Sequence, residues 1–108
     1  MTFRDVWKYI QTAERNAVGY NFCAGETEQN AKDCLHIYGS FRQVNLCERD
    51  VYGGFTSWCN IVFSVGANPD VKVYTVRQGI CDYDHPIQYT LDSEVPIWIS
   101  AMLGNYIK

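Results

Sequence analysis

The sequence predicts one α+β domain over residues 1–108, in which an N-terminal and a C-terminal helix flank an antiparallel meander of about four strands (α-β-β-β-β-α). Two periodicities support this prediction. Apolar residues recur at helical spacing in the first and last segments, and at every second position in between. The length of 108 residues, 47% of them hydrophobic, suits a single core. Helices at both ends of a meander are expected to pack on one face of its sheet.

The first element is a helix, predicted over residues 2–18. Thr2 can cap it together with Asp5, three positions later, in a variant of the capping box. Gly19 is suited to end it. Residues 19–33 fit either a short surface helix or a loop. The buried face of the helix is predicted from apolar residues three or four positions apart: Phe3, Val6, Trp7, Ile10, Ala13 and Ala17.

Alternating apolar and polar residues predict the strands. The first strand is predicted over residues 34–42, with Leu35, Ile37, Gly39 and Phe41 on one side, and "CERDVYGG" after it as a connection. Strands over residues 55–65 and 71–77 form a hairpin across the loop "GANPD". Residues 87–91 form a short fourth strand.

Helical spacing returns near the C-terminus. Pro96 fits only the start of this helix, because proline lacks the N–H that an interior turn needs. Gly104 can end it. The predicted apolar face consists of Val95, Ile99, Met102, Leu103 and Tyr106.

Charge and composition exclude several classes of protein. Nine basic and twelve acidic residues give a net charge of −3, and the basic ones are scattered, whereas duplex nucleic acid requires a concentrated positive face. No apolar run approaches the roughly 20 residues that span a bilayer. The N-terminus reads as an amphipathic helix and not as a secretion signal, so we expect a cytoplasmic protein. The five cysteines are odd in number and lack a C-x-x-C pair, which favours reduced thiols.

The segment "ICDYDHPI", residues 80–87, collects groups that could be reactive or bind a metal. A thiolate–imidazole pair of Cys81 and His85 could act as a nucleophile, and His36 could join them around a metal. However, aspartates and Pro86 are typical of turns, and Pro86 disfavours a helix at His85. The favoured interpretation is a polar turn. The sequence therefore predicts no catalytic residue, no metal and no cofactor, and a small Cys/His enzyme is the least favoured alternative.

The most informative candidate site is the sheet face opposite the helices. If the helices cover Leu35, Ile37, Ile61 and Phe63, the other face carries His36, Tyr38, Arg42, Trp58, Val62, Tyr74 and Val76. Tyrosine, tryptophan and arginine most often anchor interfaces. The candidate binding residues are therefore Tyr38, Arg42, Trp58 and Tyr74. Alternatively, residues 19–33 or the C-terminal helix cover this face and make it a second core.

The predicted function is that of a small non-enzymatic protein-binding module. Its partner would be another protein or a second copy of the chain. Its size and composition are those of small inhibitors that phages and mobile elements encode against host proteins, which is an analogy and not a sequence match. The alternative is a small-ligand or nucleotide-binding protein that stacks bases on sheet aromatics, with Arg42 or Arg77 meeting a phosphate. A concave pocket would favour the ligand, and a flat face would favour a protein.

Overall fold

The predicted α+β architecture is confirmed by the structure, a computed structural model that describes residues 1–15, 35–37, 39–49, 52, 55–77, 80–81 and 84–104. In chain order, an N-terminal helix, the strands of one antiparallel sheet and a C-terminal helix follow one another. Residues 16–34, which include the segment predicted as helix or loop, lie outside the described residues. The elements are α1 (Phe3–Arg15), β1 (Leu35–Ile37), β2 (Phe41–Arg49), β3 (Phe55–Ser64), β4 (Val71–Arg77), β5 (Ile80–Cys81), β6 (Ile87–Tyr89) and α2 (Ile97–Leu103).

The sheet has six strands, and its centre is formed by β2, β3 and β4. Strand β1 pairs with β2, β2 with β3, and β3 with β4, all antiparallel. Two short strands, β5 with two residues and β6 with three, pair with opposite ends of β4. The meander expected from the sequence is therefore present, with these two short strands completing its β4 edge.

The prediction of one strand over residues 34–42 was wrong. Strand β1 ends at Ile37, the chain bends at Gly39 and Ser40, and β2 then starts at Phe41. The chain reverses here because Gly39 and Ser40 favour a turn, and the reversal shifts the alternation of sides. Strand β2 also continues to Arg49, through the first three residues of the segment "CERDVYGG" that was predicted as a connection.

The buried side chains form one cluster between the helices and the sheet. The ring of Phe63, on β3, lies 6.5 Å from the ring of Phe3 and 5.4 Å from that of Trp7, so α1 packs on the central strand β3 near its C-terminal end. Helix α2 contacts β2. The cluster comprises Phe3, Val6, Trp7, Ile10, Val44, Leu46, Cys59, Ile61, Phe63, Val71, Val73, Leu91, Val95, Ile99, Met102 and Leu103.

Both helix starts follow the sequence rules. The amide of Thr2 donates a hydrogen bond of 2.9 Å to Asp5 Oδ2, as the predicted cap requires. This bond lowers the pKa of the Asp5 carboxyl below its usual value, because it stabilises the charged form. Pro96 precedes the first residue of α2, and Gly104 follows its last.

No helix in the described part of the chain is both long and apolar enough to cross a membrane.

The start of α1 is tied to the segment that leads into α2. The amide of Phe3 donates to the carbonyl of Ser93, and the amide of Val95 donates to the carbonyl of Met1. Arg4 forms an ion pair of 3.0 Å with Asp92. These contacts join the two ends of the chain on the same side of the sheet, so the opposite sheet face is the one that neither described helix packs against.

Candidate functional site

The sheet face opposite the helices is built from alternate residues of β2, β3 and β4, and is called the distal face below. Residues on this face line up across the strands, because cross-strand partners share a side of the sheet. One row is Cys47, Trp58 and Val76, and the next is Asn45, Asn60 and Tyr74; the row beyond is Gln43, Val62 and Lys72, and Phe41 and Ser64 form the end row.

Two of the four predicted binding residues, Trp58 and Tyr74, lie together on the distal face. The register pairs Trp58 with Val76 and Tyr74 with Asn60, so the two rings sit on adjacent strands in neighbouring rows. Diagonal neighbours of this kind lie within reach of each other when their side chains are long. Tyr38 lies outside the described residues. The role of these residues in binding stays a prediction.

Arg42 does not join them, so its predicted position was wrong. It lies opposite Ile37 and Phe63 in the register, which puts it on the same side of the sheet as the core. Its guanidinium Nη1 donates a hydrogen bond of 3.2 Å to the carbonyl of Phe41. The error follows from the turn at Gly39, since counting alternate residues straight through a reversal assigns Phe41 and Arg42 to the wrong sides.

The distal face is not a second buried core. The indole of Trp58 is 40% exposed, and the other side chains of the face are each at least partly exposed. A buried core would hold most of these side chains below a tenth exposed, as the helix-covered side does. Helix α2 packs into the core on the other side of the sheet, so the alternative in which it covers the distal face is wrong. Residues 19–33, the other segment considered as a cover, lie outside the described residues.

A trough runs along β3 on the distal face. Its floor consists of shorter side chains on the central strand, namely Asn60, Val62 and Ser64, and its walls are longer side chains on β2 and β4. The difference in side-chain length across three strands produces a cavity of about 440 Å³. Trp58 is the next residue of this face along β3, beyond Asn60. The lining residues are Phe41, Gln43, Asn60, Val62, Ser64, Asp70, Lys72 and Tyr74.

The trough combines aromatic, amide and charged groups. Gln43 Nε2 donates a hydrogen bond of 2.9 Å to Asn45 Oδ1, which leaves the Gln43 oxygen as an acceptor. The hydroxyl oxygen of Ser64 accepts a bond of 2.8 Å from the amide of Asp70 and keeps its own hydrogen to donate. Asn60 Oδ1 is buried at the floor. Of the residues that line the trough, only Tyr74 was predicted as a binding residue, although the alternation in residues 55–65 already puts Asn60, Val62 and Ser64 on this side of β3.

The "ICDYDHPI" segment is spread over a strand and a turn. Cys81, in β5, is the register partner of Val76, and Asp84 and His85 are exposed in the turn before β6. Residues 82 and 83 lie outside the described residues. Within the described ranges, no three His, Cys, Asp or Glu side chains lie close enough to hold a metal ion.

Comparisons with protein-family models, with curated proteins and with solved structures found no match to this chain. The class that the fold and the site define is therefore an α+β protein with one helix-covered sheet face and one partly exposed sheet face. Function has to be inferred from the chemistry of the exposed face.

Proposed function

We propose that the protein is a non-enzymatic protein-binding module whose docking surface is the distal face around Trp58. The observation that carries this proposal is the position of Trp58, 40% exposed on a central strand and on the side opposite the helices. Exposing a large indole to water is unfavourable, and burying it against a partner recovers that free energy. Tryptophan is also among the residues most enriched at interface hot spots.

The surroundings of Trp58 support docking of a protein. Val76 and Cys47 flank it in the same row, and Tyr74 lies in the next row. All three are partly exposed, so they form a mainly apolar border around the indole. Because these side chains project from paired strands, their backbone is fixed before binding, which reduces the ordering cost of association.

The proposed partner is another protein or a second copy of this chain. Inhibition of a host protein, in the manner of small phage-encoded proteins, is the specific activity we propose from size and composition. A cytoplasmic setting is supported by the thiols, since neither Cys47 nor Cys59 is in a disulfide and the total of five is odd.

Affinity capture with matched variants tests the proposal. Wild type, Trp58→Ala and Tyr52→Ala are each immobilised and exposed to lysate of the source cells, and retained proteins are quantified by mass spectrometry. Tyr52 is the control, because it is an aromatic residue 94% exposed in the β2–β3 connection. We expect a protein retained by wild type and by Tyr52→Ala and lost with Trp58→Ala.

Self-association is measured in parallel by sedimentation equilibrium of the three purified proteins. If the partner is a second copy, wild type and Tyr52→Ala dimerise and Trp58→Ala is monomeric. Identical capture profiles and identical masses for wild type and Trp58→Ala would contradict the proposal, provided that circular dichroism shows the variant to be folded.

A further inference from the structure

We propose that the trough on the distal face binds a nucleobase, free or within a nucleoside. This inference goes beyond the docking of a protein around Trp58 and does not depend on it. The cavity volume of about 440 Å³ falls within the range of roughly 300–1,000 Å³ typical of small-molecule sites. Shape, hydrogen-bonding groups and charge each restrict what can occupy it.

The shape of the trough favours a flat ligand. Its walls rise from β2 and β4, which lie on either side of β3 and are therefore about 9.5 Å apart, twice the spacing of paired strands. A flat ring lying over Val62 would have Gln43 and Lys72 beside it in the same row, about 5 Å away on each side. Phe41 and Tyr74 are diagonal neighbours of Val62, at about 7–8 Å, which is still within reach of aromatic side chains.

Phe41 and Tyr74 supply the aromatic contacts. They project from opposite walls, Phe41 from β2 in the end row and Tyr74 from β4 near the Trp58 end. A ring placed between them over Val62 can contact both across the trough. Stacking of bases on aromatic side chains is worth about 1–3 kcal/mol per base and tolerates any base.

The polar groups require a ligand with hydrogen-bonding edges. Gln43, Asn60 and Ser64 present amide and hydroxyl groups along the wall and floor. A hydrocarbon ring would cover the Gln43 amide and the Ser64 hydroxyl, both partly exposed, without offering either of them a hydrogen bond, which is costly. Nucleobases carry amide-like donors and acceptors on their edges, and asparagine and glutamine side chains pair with such edges.

The charges disfavour a phosphate-rich ligand. Lys72 lines the trough on β4, but Asp70 lies two residues before it and also lines the trough. The opposite charges offset each other, and the chain as a whole carries −3. The base and the sugar therefore supply the recognition, and added phosphates are expected to bring no gain in affinity.

The test is titration of the ¹⁵N-labelled full chain with adenosine, guanosine, cytidine and uridine, followed by NMR. Ribose and benzyl alcohol are the controls for a sugar without a base and a ring without amide-like edges. We expect saturable shifts of the amides of Asn60, Val62 and Ser64 with at least one nucleoside. The corresponding nucleoside triphosphate should bind no more tightly than the nucleoside.

Two substitutions locate the site. Val62→Phe fills the floor of the trough, and Gln43→Leu removes the wall amide while keeping a side chain of similar size. Each should raise the nucleoside dissociation constant at least about tenfold, whereas Tyr52→Ala should leave it unchanged. If Val62→Phe fails to fold, Gln43→Leu decides the question.

Three results would overturn the inference. The first is the absence of saturable shifts with every nucleoside. The second is binding of ribose or benzyl alcohol as tight as that of the best nucleoside. The third is wild-type affinity in a folded Gln43→Leu or Val62→Phe variant. Tighter binding of the triphosphate than of the nucleoside would overturn the assignment of recognition to the base.

Discussion

Replacing Trp7 by alanine should destabilise the protein by about 3–5 kcal/mol, the usual cost of truncating a buried tryptophan or phenylalanine. Trp7 lies in the middle of α1, is 8% exposed, and stacks on Phe63 of the central strand with 5.4 Å between ring centroids. The substitution therefore removes the stacked ring contact between α1 and β3.

The magnitude can be worked from the buried area. A buried indole covers about 150–250 Å². Truncating the side chain to Cβ removes about 150 Å² of this buried contact area. At about 25 cal/mol per Å², the free energy of unfolding falls by about 4 kcal/mol. A domain of this size is stable by about 5–15 kcal/mol, so the variant should remain partly or fully folded at 25 °C. Its melting temperature should fall by about 12–20 °C.

Urea unfolding followed by circular dichroism measures this change. Lys8→Ala is the matched control, because Lys8 is the next residue of α1 and is exposed, and it should change the free energy of unfolding by no more than about 0.5 kcal/mol. Trp7→Phe keeps a ring against Phe63 and should cost less than Trp7→Ala. A loss below about 1 kcal/mol for Trp7→Ala would refute the docking of α1 on β3.

Three further outcomes follow from local features. Folding lowers the pKa of the Asp5 carboxyl, so the ionised carboxylate stabilises the folded protein at pH values above its unfolded pKa near 3.8. This stabilisation is lost as the pH falls through the folded pKa. Asp5→Asn should therefore make the free energy of unfolding depend less steeply on pH in the acid range. Gly66 has φ = 133°, so Gly66→Ala should lower the free energy of unfolding in urea by about 1–3 kcal/mol through backbone strain alone. Gly39→Ala is the control: its surroundings are equally open and its φ is not in this range, so the substitution should be nearly neutral. Denatured protein should titrate close to five thiols, and in native protein Cys47, which is partly exposed, should be alkylated before the buried Cys59.

The helices and the central strands could be predicted from the sequence because their signals are local. The spacing of Phe3, Val6, Trp7 and Ile10 reports one buried helix face directly, and all four are buried. The same holds for alternate residues of β3, where Cys59, Ile61 and Phe63 are buried. Such patterns depend only on the period of the element and on which side meets the core.

The turn at Gly39 could not be predicted from alternation. Gly39 and Ser40 fit both an extended strand and a tight reversal, and only pairing with a second strand decides between them. The choice changes the side on which every later residue of β2 lies. This is why Phe41 was assigned to the core side and Arg42 to the distal face, when the register gives the reverse.

The trough depends on pairing between strands that are far apart in sequence. Its walls come from β2 and β4, and its floor comes from β3 between them. Trp58 and Tyr74 could be placed on one face from parity within β3 and β4 alone. Gln43 and Phe41 could not be placed, because the register between β2 and β3 is not readable from either strand by itself.

The central claim is that the distal face around Trp58 binds another protein, and calorimetric titration of the captured partner tests it most directly. Wild type, Trp58→Ala and Tyr52→Ala are compared at the same temperature and salt concentration, after urea unfolding has shown each to be folded. The loss of an interface tryptophan is worth about 2 kcal/mol or more, so Trp58→Ala should weaken binding at least about 30-fold while Tyr52→Ala binds as wild type does. Equal affinity of wild type and a folded Trp58→Ala would contradict the claim.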